Sequence, residues 1–240
     1  MKKILLAILI IGSFLNAQGV IQEKNSCLQF DGVDDYVKVY NSASLNFITK
    51  TGTYTFECWI YTRDITGVVR PSLIMKSPSQ SDRNVLGYNG GYICMGYYDD
   101  TWKGISGPLT IGEWIHAVGI NNGGNLSLYL NGVLQTGTQI PYAAAPPELY
   151  IGWSGLTGSG EYWKGLIDEV RIYSRALSAD EIYYNYTHRQ PYSKDSLKLW
   201  LKMDEGTGTV AYDSSGYGNN GTLYNGVSWR WESPFIAARQ

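Results

Sequence analysis

The sequence predicts an all-β protein, either a sandwich or a barrel, with one short helix. Almost every segment after Gln22 alternates apolar and polar residues with a period of two, which is the pattern of a half-buried strand. Gly, Asn, Pro and Ser interrupt the alternation about every eight to twelve residues, as turns between short strands do. The predicted strands are CLQF, YVKVY, TYTFECWIY, SLIMK, GYICMGYY, EWIHAVGI, LSLYLNG, ELYIGW and LIDEVRIY.

Two local signals predict a tight hairpin and a helix. In LSLYLNGVLQTG, Asn131-Gly132 is a dipeptide that tolerates the two positive φ angles of a type I′ turn. In SRALSADEIYYNY, Ser178 and Glu181 form a capping box, which satisfies two amides at the start of a helix. We expect the helix to span about residues 179–186.

Length and charge limit the classes of function. The chain has 240 residues, 44% hydrophobic and 17% charged, as expected for one globular domain with a large core. Its net charge is -2 and no basic stripe is visible, so a nucleic-acid partner is not expected. The 20 Tyr and 8 Trp fit either β-propensity alone or a surface that binds sugars or proteins.

Residues 1–17 predict a secretory signal peptide. MKK supplies a charged start, residues 4–15 an apolar segment, and Ala17 a suitable cleavage site. The apolar segment is too short to span a bilayer, so no membrane insertion of the mature form is expected. Residues 18–26 are then an N-terminal linker, and the protein is expected to be secreted, extracellular or at the cell surface.

Three cysteines would meet an oxidising environment after export, and this odd number allows at most one disulfide. Cys58 lies in FECWIY, where the alternation places core residues. We expect Cys27, Cys58 and Cys94 to be mainly small buried apolar residues, with a single bridge as the alternative.

Four motifs together resemble the laminin-G-like, concanavalin A-like jelly-roll domains of secreted proteins. They are FDGVDDYVKVYNSASLN (30–46), GEWIHAVGI (112–120), LYLNGVLQ (128–135) and GLIDEVRIYSRALSADEI (165–182). The resemblance covers about residues 27–187 and implies a two-sheet antiparallel jelly-roll sandwich. It further implies ligand loops at one rim or on the concave face, and a glycan-binding or adhesion function.

The segment 197–240 follows a predicted linker at 188–196 and is too short for a second domain. Its stretch LWLKMDEGTGTVAYDSSGYGNNGTL resembles the first hairpin of this family, which usually precedes FDGVDDYV. Either the order is permuted and 197–231 folds back beside Cys27–Phe30, or the segment begins a truncated second repeat. The first alternative is favoured, because a lone hairpin would leave its large apolar side chains without a core.

The sequence predicts that the protein is not an enzyme. A glycosidase needs two carboxylates that flank the scissile bond, and jelly-roll glucanases carry acidic residues at alternating strand positions. In the nearest match, GLIDEVRIY, Leu166 occupies the first acidic position. Asp168 and Glu169 are adjacent, so they are expected on opposite faces of a strand. No triad or zinc spacing is recognisable, and His116 is expected to be structural.

Calcium is the predicted metal. Asp31, Asp34 and Asp35 lie in one tight turn, where three carboxylates repel one another unless a cation or hydrogen-bond donors compensate. Ca²⁺ prefers carboxylates and carbonyls in flexible loops, and relatives with bound calcium hold it in loops of this kind. The additional candidate ligands are Asp168 and, if the tail folds back, Asp213 and Asn219. In the alternative interpretation, the carboxylates only cap turn amides.

Two aromatic loops are predicted to bind a ligand, because sugars stack on aromatic faces and hydrogen-bond to planar polar groups. The candidate residues are Tyr97, Tyr98, Asp99, Asp100 and Trp102 of GYYDDTWKG, and Trp153 beside a Gly/Ser loop. The alternative is that these aromatics fold onto the sandwich. Residues 82–84 are interpreted as a polar loop that could join the site. The motif tryptophans are expected in the core: Trp59, Trp114 and Trp163.

The predicted function is non-catalytic recognition of a cell-surface or matrix glycan. The first alternative is a structural or adhesion protein that binds another extracellular protein. The second is an accessory domain of a glycoside hydrolase.

Overall fold

The computed structural model describes residues 26–79, 82–138, 148–155 and 160–232. In these residues the chain forms two antiparallel sheets and one α-helix, which confirms the predicted all-β sandwich. The predicted signal peptide and residues 18–25 lie outside the described residues. No helix in the described parts of the chain has the length and apolar character needed to cross a membrane.

Sixteen strands are present in the described residues. They are β1 (Cys27–Asp31), β2 (Tyr36–Val39), β3 (Thr53–Tyr61), β4 (Ser72–Ser79), β5 (Asp82–Asn89), β6 (Tyr92–Tyr98), β7 (Trp102–Pro108), β8 (Ile115–Asn122), β9 (Asn125–Leu130), β10 (Val133–Leu134), β11 (Leu149–Ile151), β12 (Lys164–Tyr173), β13 (Leu197–Leu201), β14 (Val210–Ala211), β15 (Gly221–Tyr224) and β16 (Ser228–Arg230). A 3₁₀-helix spans Ala43–Leu45, and helix α1 spans Ala179–His188.

The strands form two sheets that face each other. Sheet A has the order β10-β9-β8-β3-β12-β1-β16, and β13 also pairs with β12. Sheet B has the order β14-β15-β2-β11-β4-β5-β6-β7. Alternate residues of each strand face the other sheet and form one apolar core, which includes Phe56 and Ile60 of β3 and Val37 and Val39 of β2.

Helix α1 begins where the capping box places it. Ser178 Oγ accepts a hydrogen bond from Glu181 N (3.3 Å), and the Glu181 carboxylate accepts one from Ser178 N (2.9 Å). The helix ends at His188 rather than at residue 186, because the first left-handed residue is Arg189, with φ 58°. Ile182 and Asn185 are its buried residues, and Asn185 bonds to Glu57 of sheet A.

The tail contributes strands to both sheets. In sheet A, β13 pairs with β12 and β16 pairs with β1; in sheet B, β15 pairs with β2. Asp213 holds the turn DSSGYGN against β13: its carboxylate accepts hydrogen bonds from the amides of Trp200, Ser215 and Asn219, each at 2.9 Å. The stretch 199–223 therefore packs on the sandwich formed by the preceding residues.

Two sequence interpretations need correction. Residues 82–84 are not a loop: they begin β5, where Asn84 is buried and accepts a hydrogen bond from the Tyr54 hydroxyl (2.8 Å). A polar residue can occupy a buried strand position when its polar atoms are bonded. Trp114 is only partly buried, whereas Trp59 and Trp163 are buried.

Two other local predictions are confirmed. Asn131 and Gly132 both have positive φ (51° and 79°), as the type I′ turn between β9 and β10 requires. Cys27, Cys58 and Cys94 are all buried and unpaired, so none forms the single bridge considered as an alternative.

Deleting residues 192–240 should abolish the cooperative thermal transition. The deletion removes β13 to β16 and with them the buried side chains of Leu199, Leu201 and Leu223. Losing one such side chain costs about 2–5 kcal/mol, and a whole domain is stable by only about 5–15 kcal/mol. The control chain ends at Glu232 and keeps every described strand. An unchanged Tm of the shorter chain, measured by circular dichroism, would contradict the prediction.

Candidate functional site

The predicted aromatic loop forms the end of the β6–β7 hairpin. Tyr98 is the last residue of β6, Trp102 is the first of β7, and the two are cross-strand partners. Asp99 and Asp100 lie in the turn, where Asp100 has a φ of 70° and is exposed. Asp99 pairs with Lys103 (2.7 Å), an arrangement that lowers the pKa of Asp99 through the hydrogen bond from the ammonium group.

Tyr97 is separated from the rest of this loop. Side chains alternate along β6, so Tyr97 faces the opposite sheet while Tyr98 faces outward. Tyr97 is buried, and its hydroxyl donates to the carbonyl of Gly124 (3.3 Å). Of the aromatic residues in the predicted loop, Tyr98 and Trp102 therefore remain on the outer face of sheet B.

Three side chains form what we call the tip patch: Arg83, Tyr98 and Trp102. The rings of Tyr98 and Trp102 lie 5.1 Å apart, and the Arg83 guanidinium lies 4.9 Å from the centre of the Tyr98 ring. Trp102 packs on Met75 and Val85, two buried residues whose side chains face outward from β4 and β5. These apolar contacts hold the indole against the sheet while part of it stays exposed.

Trp153 lies in a second aromatic group, which we call the ring stack: Tyr224, Tyr36, Trp153 and Tyr162. Tyr36 contacts Tyr224 (4.8 Å, 11° between planes) and Trp153 (4.9 Å), and Trp153 contacts Tyr162 (5.6 Å, 4°). Trp153 is only 8% exposed. Because its neighbours occupy the indole faces, Trp153 offers little surface of its own, and the accessible parts of the stack belong to the tyrosines.

Polar groups surround the ring stack. Tyr40 is 57% exposed, and its hydroxyl lies 2.8 Å from the hydroxyl of Tyr224. Lys38 pairs with Glu148 (2.9 Å), and its Nζ lies 4.8 Å from the centre of the Tyr40 ring. Sequence reasoning missed this region, although the alternation in YVKVY places Tyr36, Lys38 and Tyr40 on one face.

The predicted acidic turn is compact. One carboxylate oxygen from each of Asp31, Asp34 and Asp35 lies within 4.8 Å of the others. Asp35 is only 2% exposed; its Oδ2 accepts from the amide of Asp31 (2.9 Å), while its Oδ1 is buried without a hydrogen-bond partner. Burial, assisted by the neighbouring carboxylates, raises the pKa of Asp35 to about 6.

This turn therefore fits a hard cation. The donor set consists of carboxylate oxygens, as Ca²⁺ prefers, and the buried Oδ1 of Asp35 has no donor that would compete with a metal. One carboxylate oxygen of the turn already has a hydrogen-bond donor, because Asp31 Oδ1 accepts from the amide of Val33 (2.7 Å). Asp35 Oδ1 is thus available to a metal, whereas Asp31 Oδ1 caps an amide of the turn.

The three additional candidate ligands lie elsewhere. Lys164 of β12 stands opposite Asp31 in the sheet, and Asp168 is four positions further along β12. The Asp168 carboxylate accepts a hydrogen bond from the amide of Glu169 (3.0 Å). The carboxylate of Asp213 is occupied by the amides of Trp200 in β13 and of Ser215 and Asn219 in its own turn. Asn219 bonds to Ser44 and to the carbonyl of Lys198. None of the three belongs to the acidic cluster in the described residues.

Glu161 is a buried carboxyl that sequence reasoning did not identify. It is 2% exposed, its Oε2 has no hydrogen-bond partner, and Oε1 lies 4.0 Å from Arg70 Nε. Burial raises the pKa of Glu161 to about 7, and the charge of Arg70 opposes this only in part. Glu161 adjoins Tyr162 in the chain, and its carbonyl accepts from the amide of Ser154.

The stability of the protein should fall as the pH rises through neutrality, because the folded state binds the Glu161 proton more tightly than the unfolded chain does. This contribution is fully present below about pH 4.5 and is lost as the pH passes about 7. At about 1.4 kcal/mol per pKa unit, it amounts to roughly 3 kcal/mol. Glu161→Gln should flatten this part of the pH profile, measured by urea unfolding in chelator from pH 4 to 8.

The matched control is Glu113→Gln, which replaces an exposed carboxylate. Asp35 titrates in the same direction, so some pH dependence should remain in the Glu161→Gln protein. Identical pH profiles for the parent and Glu161→Gln would contradict the assignment.

Comparison with known proteins agrees with the fold and the motifs. The profile of the concanavalin A-like lectin/glucanases superfamily matches residues 31–183. No curated protein is similar in sequence to this chain.

Solved structures share the fold at low sequence identity. A candidate carbohydrate-binding protein of Bacteroides ovatus superposes with a TM-score of 0.63 and 19% identity over 86% of this chain and 59% of that protein. A heptameric SAP-like pentraxin of Limulus polyphemus gives 0.57 and 15% over 87% and 96%. Domain 4 of the GH43 extracellular arabinanase AbnA of Geobacillus stearothermophilus, solved with arabinotriose, gives 0.51 and 19% over 65% and 74%. The chain spans less than two thirds of the first of these proteins.

Proposed function

Because the chain belongs to the concanavalin A-like lectin/glucanase superfamily, we propose that it is a secreted, non-catalytic carbohydrate-binding module. Two structural neighbours support this class, a candidate carbohydrate-binding protein and an arabinanase domain solved with arabinotriose. The proposed contact surface is the outer face of sheet B, with Trp102 of β7, the last strand in the order of that sheet, as its main aromatic contact.

The observation that carries the proposal is the position of Trp102. The indole is held against Met75 and Val85, so it is fixed before a ligand arrives, and part of it remains exposed. A pre-positioned aromatic ring can stack on the C–H face of a sugar without an ordering cost. Arg83 lies against the Tyr98 ring, and Asp100 is exposed in the turn before Trp102; both could bond to sugar hydroxyls.

The surroundings of Asp168 and Glu169, the acidic residues nearest to a glucanase motif, favour binding over catalysis. Glu169 is bonded to Arg171 (2.6 Å) and to the indole N–H of Trp200 (2.6 Å), beneath the surface of sheet A. Asp168 is also buried. Neither carboxylate lies on the outer face of sheet B, where the proposed ligand would bind.

The chain without residues 1–17 should bind a related set of glycans on a glycan panel, and Trp102→Ala should weaken that binding by roughly tenfold or more, since one stacking contact is lost. Trp102→Phe should retain part of the affinity. The control is Tyr183→Ala, which removes an exposed tyrosine (60%) from helix α1 on the other side of the sandwich.

Equal binding by the parent and Trp102→Ala would place the site elsewhere. No binding at all by a folded sample would contradict the carbohydrate proposal and favour adhesion to an extracellular protein.

We further propose that Ca²⁺ binds at the acidic turn, through Asp31, Asp34 and Asp35. The buried, unpartnered Oδ1 of Asp35 supports this assignment, because a cation would satisfy it. When bound, the ion would supply a fixed positive charge between β1 and β2 and stiffen the turn beside the ring stack.

Ca²⁺ at about ten times its Kd should raise the free energy of unfolding by about 1.4 kcal/mol relative to chelator. Asp35→Asn should abolish this difference while keeping the bond from the Asp31 amide, because the asparagine oxygen also accepts. Asp195→Asn, in an exposed turn, is the control. Equal Tm values of the parent in Ca²⁺ and in chelator would contradict the proposal.

A further inference from the structure

The tip patch and the ring stack lie on the same face of sheet B. In β2, Val37 and Val39 face the core, so Tyr36 and Lys38 face outward. In β6, Ile93 and Met95 face the core, so Tyr98 faces outward, and its cross-strand partner Trp102 shares that face. The two aromatic groups therefore belong to one surface.

The two groups are joined by contacts across the sheet. Tyr36 lies 5.7 Å from Tyr150 of β11, and Tyr150 stands opposite Met75 of β4. Met75 forms a small buried cluster with Val85, and Trp102 packs against that cluster. Strands β2 and β7 are five strand spacings apart in this sheet, which corresponds to roughly 24 Å.

The charges near the two groups balance. Lys38 pairs with Glu148 (2.9 Å), and Lys103 pairs with Asp99 (2.7 Å). Arg83 of β5 and Asp100 of the β6–β7 turn add one charge of each sign. This face therefore offers no surplus of positive charge for a sulfated or uronic-acid chain.

We infer that the ligand is a stretch of neutral polysaccharide that lies across the strands of sheet B and contacts both the tip patch and the ring stack. It would reach the ring stack at Tyr40, the exposed tyrosine whose hydroxyl lies 2.8 Å from that of Tyr224. A single sugar at a chain end reaches one group, whereas an extended chain reaches both, and the second contact then forms at high effective concentration. This inference rests on the proposed carbohydrate-binding function and specifies the class of carbohydrate.

The first test is native affinity electrophoresis of the chain without residues 1–17. The gels contain arabinan, galactan, mannan, xylan or β-glucan, and polygalacturonate or chondroitin sulfate as acidic comparisons. We expect retardation by at least one neutral polymer and none by the acidic polymers.

The second test is isothermal titration calorimetry with oligosaccharides of about two to eight residues from the retarding polymer. Affinity should rise roughly tenfold or more between the shortest and the longest chains. Trp102→Ala and Tyr40→Ala should each lower the affinity for the long chains by roughly tenfold and flatten the length dependence. Tyr183→Ala is the control, and equal Tm values establish that the variants fold.

The outcomes separate the two proposals. If a polymer retards the protein but affinity does not grow with chain length, or Tyr40→Ala binds long chains like the parent, the two-patch inference is wrong and the binding function stands. Retardation by the acidic polymers alone also overturns the inference. If no polymer retards a folded sample, the carbohydrate-binding function itself is wrong.

Discussion

One buried cation, Arg171 of β12, organises the outer face of sheet A. Its guanidinium bonds to Glu57 (2.7 Å) and to Glu169 (2.6 Å), and each carboxylate also receives a donor from another element. Glu57 accepts from Asn185 of helix α1 (3.1 Å), and Glu169 accepts from Trp200 of β13 (2.6 Å). Burial alone would raise the pKa of Glu57, but Arg171 and the bonded donors lower it to about 2. Because a buried charge is costly unless it is paired, this network fixes both the helix and the first tail strand.

The position of the tail has consequences on the other sheet. Once β13 is fixed beside β12, the chain returns to place β15 beside β2, and Tyr224 then stacks on Tyr36. The turn that follows reaches the acidic turn, where Asn225 Nδ2 donates to the carbonyl of Asp34 (2.8 Å). The ring stack and the surroundings of the acidic turn thus both depend on residues that come last in the chain.

The sequence predicted what depends on local pattern. Period-two alternation located most strands, and a capping box located the start of α1. The hairpin turn at Asn131 followed from its tolerance of positive φ. The sequence interpretation of Asp82–Asn84 as a loop was wrong. Whether a polar residue lies in a loop or in a strand depends on partners such as Tyr54, which are distant in the chain. The ring stack was not predictable for the same reason: Tyr36, Trp153 and Tyr224 become neighbours only through strand order.

The two outer faces of the sandwich have different chemistry, and this difference supports the proposed binding function. On sheet A, Glu57 bonds to Asn185 of helix α1 and Glu169 bonds to Trp200 of β13, so both carboxylates are occupied by structural partners. On sheet B, no helix of the described residues covers the outer face, and its partly exposed groups are aromatic rings and paired charges. Aromatic rings on a rigid sheet gain affinity from stacking on apolar surface, which stabilises a bound sugar in its ground state. Such contacts do not stabilise a transition state selectively, which is the physical reason for proposing that this face holds a glycan.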